Sequence, residues 1–399
     1  MNWKRNLAII WIGQFLSIVG FSFGLPFAPY YIQTLGISDP AELKMWIAFF
    51  AASAPLSFAL FSPFWGAVSD RFGRKPVLIR AYFGGAIVLS LMGTVHHAET
   101  LIALRILQGV LTGTITASQT LVSVSTPSHR TGFALGTLSA AVFSGAMAGS
   151  ALGGIVAETY GYRTAFLLSG TVLLVAGLLV TFGIREDFKP QKSSSLLKIN
   201  FRPGMAQIAV AMPMLALFVA MAFCQSFDTA MLPLLVQEIH GRLDGAAFWS
   251  GILNAVGSLA GLIAGLSLGW LSDRIAPAKI GIYSAIGAGL LLIPQGLSHN
   301  FLSLFIARFG MTFCIGGLDP VFQIWLAKVT PEKSKGFIFG WATTARSVGW
   351  IFAPLASGYF ATVFGLRSIY FIGAVFMFML VPLIIFVVGL LNERENRHV

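Results

Sequence analysis

The chain has 399 residues, of which 56% are hydrophobic and only 10% charged, and its mean hydropathy is +0.81. So much apolar surface has no place inside a water-soluble globule, and the composition implies a bilayer as solvent. The formal net charge of +11 does not describe a nucleic-acid surface, because the basic residues sit in short loops between apolar runs rather than on one face.

Met1-Asn2-Trp3-Lys4-Arg5-Asn6 leads into an apolar stretch that runs to about Gln33 without a cleavage site, so it reads as a retained first span rather than a leader. Hydropathy places spans near 7–33, 45–65, 76–95, 100–122, 132–157 and 163–184. A polar segment follows, and then six more spans near 206–236, 247–269, 279–296, 301–326, 336–361 and 368–391. The predicted fold class is an all-α membrane protein with twelve transmembrane helices. An even count puts both termini on one side. Nineteen of the 26 Lys and Arg residues fall on that side, four fall on the other, and Arg105, Arg308 and Arg346 lie within spans. This asymmetry predicts cytoplasmic termini in a multi-pass protein of a bacterial inner membrane.

Cys224 and Cys314 both fall inside predicted spans, which argues against a disulfide framework. The six histidines lie in loops or the tail without metal-ligand spacing, so neither a metal nor a clustered catalytic set is expected. No Gly-x-x-x-x-Gly-Lys-Ser/Thr phosphate loop occurs, which argues against direct ATP drive. No cofactor is expected, and the chain reads as a transporter rather than an enzyme.

The segment 185–205, centred on Lys189-Pro190-Gln191-Lys192, is polar and basic, and is read as a cytoplasmic linker between bundles at 1–184 and 206–399. The two sides repeat. Gly66-Ala-Val-Ser-Asp70-Arg71 answers to Gly269-Trp-Leu-Ser-Asp273-Arg274, and Arg105 to Arg308, at an offset of 203. At an offset of 204, Thr126-Pro127, Gly136, Gly145, Gly154 and Arg163 meet Thr330-Pro331, Gly340, Gly349, Gly358 and Arg367. Such repeats predict a substrate site near the midplane, with access alternating as one half rocks against the other.

The turn Gly66-Ala-Val-Ser-Asp70-Arg71-Phe-Gly73-Arg74-Lys75 resembles the cytoplasmic signature of the major facilitator superfamily. Its glycines permit a tight reversal, and Asp70 is a candidate latch of an inner gate, meeting helix N-termini or arginines. The copy at Asp273-Arg274 lacks the Gly-Arg-Lys ending. In the fifth span, Gly136, Gly145, Gly149, Gly153 and Gly154 resemble the antiporter signature of the twelve-span drug:proton antiporter family, with Ser150 where that family usually has proline. Gly145, Gly149 and Gly153 form a smooth face for close helix packing, suited to a pivot between halves. Leu25-Pro26-Phe27-Ala28-Pro29-Tyr30-Tyr31 is similar to another motif of these exporters, and the whole chain looks most like their MdtG-type multidrug members.

That resemblance implies two pseudo-symmetric six-helix halves, a monomer, and proton-driven export of lipophilic molecules through a cavity lined by spans 1, 4, 7 and 10. It nominates Tyr30, Gln119, Phe223, Phe227, Phe322 and Trp325 as substrate-binding candidates. The implied partners are membrane lipid, an amphipathic small molecule and protons.

Five ionisable residues lie deep in spans: Arg105, Asp228, Arg308, Asp319 and Arg346. Each is expensive in hydrocarbon and needs a partner or a task. Counting ~1.5 Å per residue puts Asp228 and Arg308 at one depth, about 10 to 12 Å from the outer end, and Asp319 and Arg346 at a comparable depth in the inner half. A carboxylate that gains and loses an arginine between conformations is a proton switch; the alternative is two static pairs that fix packing. Arg105 has no intramembrane acid in its half, since Glu42, Glu99 and Glu158 sit near the outer surface, and is left with a carbonyl, Gln108 or an anionic substrate group. The other functional reading is a dedicated transporter of one physiological solute or (glyco)lipid.

Overall fold

A computed structural model describes residues 3–127, 130–184, 186, 204–272, 274–330 and 335–396. Among these residues there is no strand. In hydrocarbon every backbone N–H must be satisfied internally, and helices alone do that without closing a barrel.

The helices are α1 (Trp3–Gly24), a 3₁₀ turn (Leu25–Phe27), α2 (Ala28–Thr34), α3 (Pro40–Phe72), α4 (Arg74–Met92), α5 (Ala98–Leu111), α6 (Thr114–Ser125), α7 (Thr131–Tyr160) and α8 (Tyr162–Gly183). They are followed by α9 (Gly204–Ser226), α10 (Leu232–His240), α11 (Ala246–Leu271), α12 (Pro277–Leu297), α13 (Phe301–Gly316), α14 (Leu318–Val329), α15 (Lys335–Phe364) and α16 (Ser368–Asn396). Among the described residues eleven runs are long and apolar enough to cross a membrane. The twelfth span is divided between α9, with its shorter apolar stretch Met212–Ser226, and α10.

Spans 1, 4, 7 and 10 are each interrupted, as α1/α2, α5/α6, α9/α10 and α13/α14. The other eight are single helices. Local chemistry explains the interruptions of spans 1 and 4. In span 1, Pro26 and Pro29 withdraw two amide donors. In span 4, Gly113 adopts φ +114°, which other residues strongly resist. In span 7 the chain turns at Asp228, whose carbonyl accepts from the Met231 and Leu232 amides at 3.2 and 3.1 Å. In span 10 the interruption falls at Gly317, which stands 204 residues after Gly113.

Two compact units emerge: Met1–Leu197 with Val236–Leu259, and Lys198–Leu235 with Ala260–Val399. In the first, α1 packs on α7 and α8, and α4 on α8. In the second, α9 packs on α15 and α12 on α16. The repeat reaches individual contacts. A Cβ on Gly145 would lie 2.7 Å from the Phe15 carbonyl, and one on Gly349 2.6 Å from the Val219 carbonyl, with both members of the contact displaced by 204.

Candidate translocation site

The interrupted helices carry four of the five intramembrane charges named from the sequence, and the fifth, Arg346, lies on the continuous α15. Asp228 occupies the turn between α9 and α10, and Arg308 faces it from α13, with Nη1 donating to Oδ2 at 2.5 Å. Their side chains are 3% and 9% exposed. The neighbouring Phe227 ring meets Phe223 and Phe376 at centroid distances of 5.5 and 5.1 Å. A pair in such a shell holds together because either charge alone would be left desolvated without compensation.

Asp319 lies in the first turn of α14, where its charge complements the helix N-terminus. Arg346 Nη1 on α15 donates to both carboxylate oxygens, at 2.7 and 2.8 Å, and Gln323 Nε2 donates to Oδ2 at 2.6 Å. This pair is more open, with side chains 32% exposed for Asp319 and 18% for Arg346. The two acids therefore differ in burial: Asp228 is enclosed within its unit and Asp319 is partly exposed.

In the first unit Arg105 meets no acid among the described residues. Its Nη1 donates to Gln108 Oε1 at 2.5 Å, its guanidinium lies 4.8 Å from the Phe50 ring centre, and its Nε is buried without a partner. A second arginine, not singled out by sequence reasoning, does more here. Arg80 on α4 donates to the Val110 and Thr112 carbonyls at 3.1 and 3.2 Å and stacks 3.6 Å above Trp65, whose Nε1 also donates to Val110, at 2.7 Å. These donors satisfy carbonyls that the interruption of span 4 releases. The sequence signal was a lone charge within the apolar run 77–95.

The substrate-binding candidates fall into separate settings. Phe223 and Phe227 belong to the aromatic shell of Asp228, while Phe322 packs edge-on against Phe218 at 6.3 Å and against Trp325 at 6.1 Å. Gln119 is exposed on α6. Tyr30 is fully buried, with its hydroxyl 2.6 Å from Ser250 Oγ.

At the turn between α3 and α4, Gly73 has φ +98°, and Glu186 caps α4 by accepting the Arg74 and Lys75 amides at 3.0 and 2.8 Å. Lys75 Nζ donates to the Ile184 carbonyl at 2.7 Å. Gly66 faces open space, and the Arg71 guanidinium lies 5.3 Å from the ring centre of its neighbour Phe72. The side chain of Asp70 and the whole of Asp273 lie outside the described part, while Arg274 stacks 3.9 Å from Trp270. Of the antiporter-motif glycines, Gly145, Gly149 and Gly153 press on the α1 backbone, Gly154 meets the Ala247 carbonyl and Gly251, and Gly136 faces open space. Close packing by this face thus serves chiefly the α1–α7 contact inside the first bundle. Among the described residues no cluster of His, Cys, Asp and Glu is arranged to hold a metal.

Residues 10–296 and 250–399 match the sequence profile of the Major Facilitator Superfamily. The chain is 36% identical over 377 residues to the multidrug resistance protein MdtG of Salmonella typhi, covering 94% of this chain and 93% of that protein, and equally to the Salmonella typhimurium protein. Its fold is similar to a crystal structure of the nucleoside transporter NupG, with a TM-score of 0.79 at 12% identity over 97% of this chain and 100% of the other. It is also similar to the human organic anion transporter MFSD10, at 0.73 and 14% identity over 96% and 100%. The resemblance read from the sequence, to the major facilitator superfamily and its MdtG-type multidrug members, points to the same family and to the Salmonella relatives.

Proposed function

Because the chain belongs to the Major Facilitator Superfamily and is thus a multi-pass membrane transporter of small molecules rather than an enzyme, we propose that it exports lipophilic, amphipathic compounds in exchange for protons. The bundles 1–184 and 206–399, joined by the 185–205 linker, alternate access as a monomer in the inner membrane, with both termini cytoplasmic. The multidrug relatives and the aromatic residues of spans 7 and 10 support this substrate class.

The observation that carries the coupling is the Asp228–Arg308 pair at the interruption of span 7. Arg308 supplies the counter-charge of Asp228 here; a rearrangement that withdraws Arg308 leaves a carboxylate whose charge a proton can neutralise instead. Asp319–Arg346 then serves as the packing pair. Asp70, Arg71, Gly73, Arg74 and Lys75, with Asp273 and Arg274, belong to the cytoplasmic gate. A second reading, a dedicated carrier of an anionic solute or lipid headgroup, draws on Arg105, whose Nε is buried without a partner in a unit whose described acids lie outside the interior of its spans.

The test is proton-gradient-driven transport of a fluorescent lipophilic cation in proteoliposomes, comparing wild type with Asp228→Asn and Asp319→Asn. The proposal expects wild-type transport, loss in Asp228→Asn with substrate still bound, and retention in Asp319→Asn. No cation movement by wild type under any gradient would discard the exporter reading in favour of anionic solutes and lipids.

A further inference from the structure

One group of buried polar atoms lies outside this charge machinery. Gln14 on α1 is fully buried, and neither its Oε1 nor its Nε2 has a hydrogen-bond partner. Tyr82 Oη on α4 and Ser118 Oγ on α6 are likewise buried and unpartnered. These atoms converge. Ser17 Oγ donates to Thr114 Oγ1 at 3.0 Å, fixing α1 against α6. Gln14 lies one turn back along α1, and Ser118 one turn on along α6, which runs the opposite way across the bilayer, so both fall beside that bond on facing surfaces. Tyr82 Oη comes within 3.1 Å of where a Cβ on neighbouring Gly13 would sit, and it faces Ser118 without hydrogen-bond geometry.

The repeat supplies a control. On the register of 204 set by the Gly145–Phe15 and Gly349–Val219 contacts, Gln14 and Ser118 correspond to Phe218 and Phe322, whose rings meet edge-on at 6.3 Å. Tyr82 corresponds to Ala285 on the register of 203 that holds from Gly66 to Arg105, before it returns to 204 at Gly113. Phe218, Phe322 and Ala285 are all fully buried. The fold therefore closes without polar atoms at this junction, and the first unit has polar atoms there for another reason.

Buried polar atoms left unpaired are costly, so a dry site would be heavily penalised. A bare cation fares worse: α1, α4 and α6 contain no acid, and an ion stripped of water would meet no counter-charge. Water satisfies donors and acceptors together and typically makes about three such bonds when buried. We propose that Gln14, Tyr82 and Ser118 hold an internal water molecule at the junction of α1, α4 and α6, where the second unit uses interlocked phenylalanines.

Hydroxyl-radical footprinting of the full-length protein in nanodiscs tests this, because bound water is the local radical source. Tyr82 should be oxidised several-fold faster than Tyr30, which is as deeply buried but shares a hydrogen bond with Ser250. In Gln14→Leu/Ser118→Ala the Tyr82 rate should fall to that of Tyr30. Equal rates for the two tyrosines in wild type would overturn the proposal even if the variant did not fold, as would an undiminished Tyr82 rate in the folded variant. Melting in sodium, potassium and choline salts at one ionic strength gives the other arm: stabilisation by one alkali cation, lost in the variant, would make the ligand an ion and also overturn it.

Discussion

Gln33 and Gln237 stand 204 residues apart, at equivalent positions of the two repeats, and their amides bond each other twice. Gln33 Nε2 donates to Gln237 Oε1 at 2.8 Å, and Gln237 Nε2 returns a bond to Gln33 Oε1 at 3.0 Å. Identical groups exchanging identical bonds make a self-complementary contact, the kind a twofold axis generates. Around it, Tyr30 Oη meets Ser250 Oγ at 2.6 Å, Glu158 Oε1 accepts the Gly245 amide at 2.6 Å, and Gly154 abuts Gly251. These contacts explain why Val236–Leu259 is compact with the first bundle.

Replacing Gln33 by Leu strands the amide of Gln237, at a cost of about 1–3 kcal/mol. Hydrogen exchange over 236–245 should quicken in Gln33→Leu and slow again in Gln33→Leu/Gln237→Leu, where no amide remains to be paired. Unchanged exchange in the single variant would show that the segment is held by Tyr30 and Glu158 without the glutamines.

The two intramembrane acids should differ in stability cost as they differ in burial. Removing one partner of a buried pair costs about 3–5 kcal/mol, so Asp228→Ala should lower the melting temperature in detergent strongly. Asp319→Ala should lower it clearly less, because that carboxylate is 32% exposed and its pair is screened. Removing Arg308 together with Asp228 should recover part of the loss. Equal shifts for the two single variants would mean that the burial difference has no energetic weight.

Several of these features are legible in the sequence and others are not, for a physical reason. Helix rise is fixed, so counting residues puts Asp228 and Arg308 at one depth, and glycines spaced four apart announce a smooth face. Counting says nothing of which face a residue takes or where a helix stops. Glu186 reads as one charge in a basic linker, yet it caps α4 more than a hundred residues earlier in the chain. Gln14 and Ser118 read as ordinary polar residues in apolar runs, and only the packing of α1 on α6 brings them together. Of the prolines, those near residues 26 and 29 interrupt a helix, whereas Pro55 and Pro63 sit inside the continuous α3.

The antiporter-motif glycines are not equivalent. A Cβ on Gly153 would lie 2.4 Å from the Phe23 carbonyl, a backbone atom that cannot rotate away. Gly153→Ala should therefore force α1 from α7 and cost about 1–3 kcal/mol, the range for overpacking. Gly136 is exposed with nothing near its Cβ position, so Gly136→Ala should stabilise α7 by about 0.5–1 kcal/mol through helix propensity. Thermal melting of the two variants checks the sign of each.

Arg80 should matter more to span 4 than its place beside a cytoplasmic loop suggests. The interruption at Thr112-Gly113 releases carbonyls that helix amides would otherwise satisfy, and hydrocarbon offers no substitute donor. The Arg80 guanidinium reaches the Val110 and Thr112 carbonyls with two separate nitrogens while lying flat on Trp65. A lysine carries the same charge but has one nitrogen and no planar face, so it cannot hold both carbonyls and stack. Arg80→Lys should therefore lower the melting temperature nearly as much as Arg80→Ala, and hydrogen exchange over 110–118 should rise in both. Were topology the only task of Arg80, Arg80→Lys would behave as wild type, since the positive-inside rule counts the two residues alike.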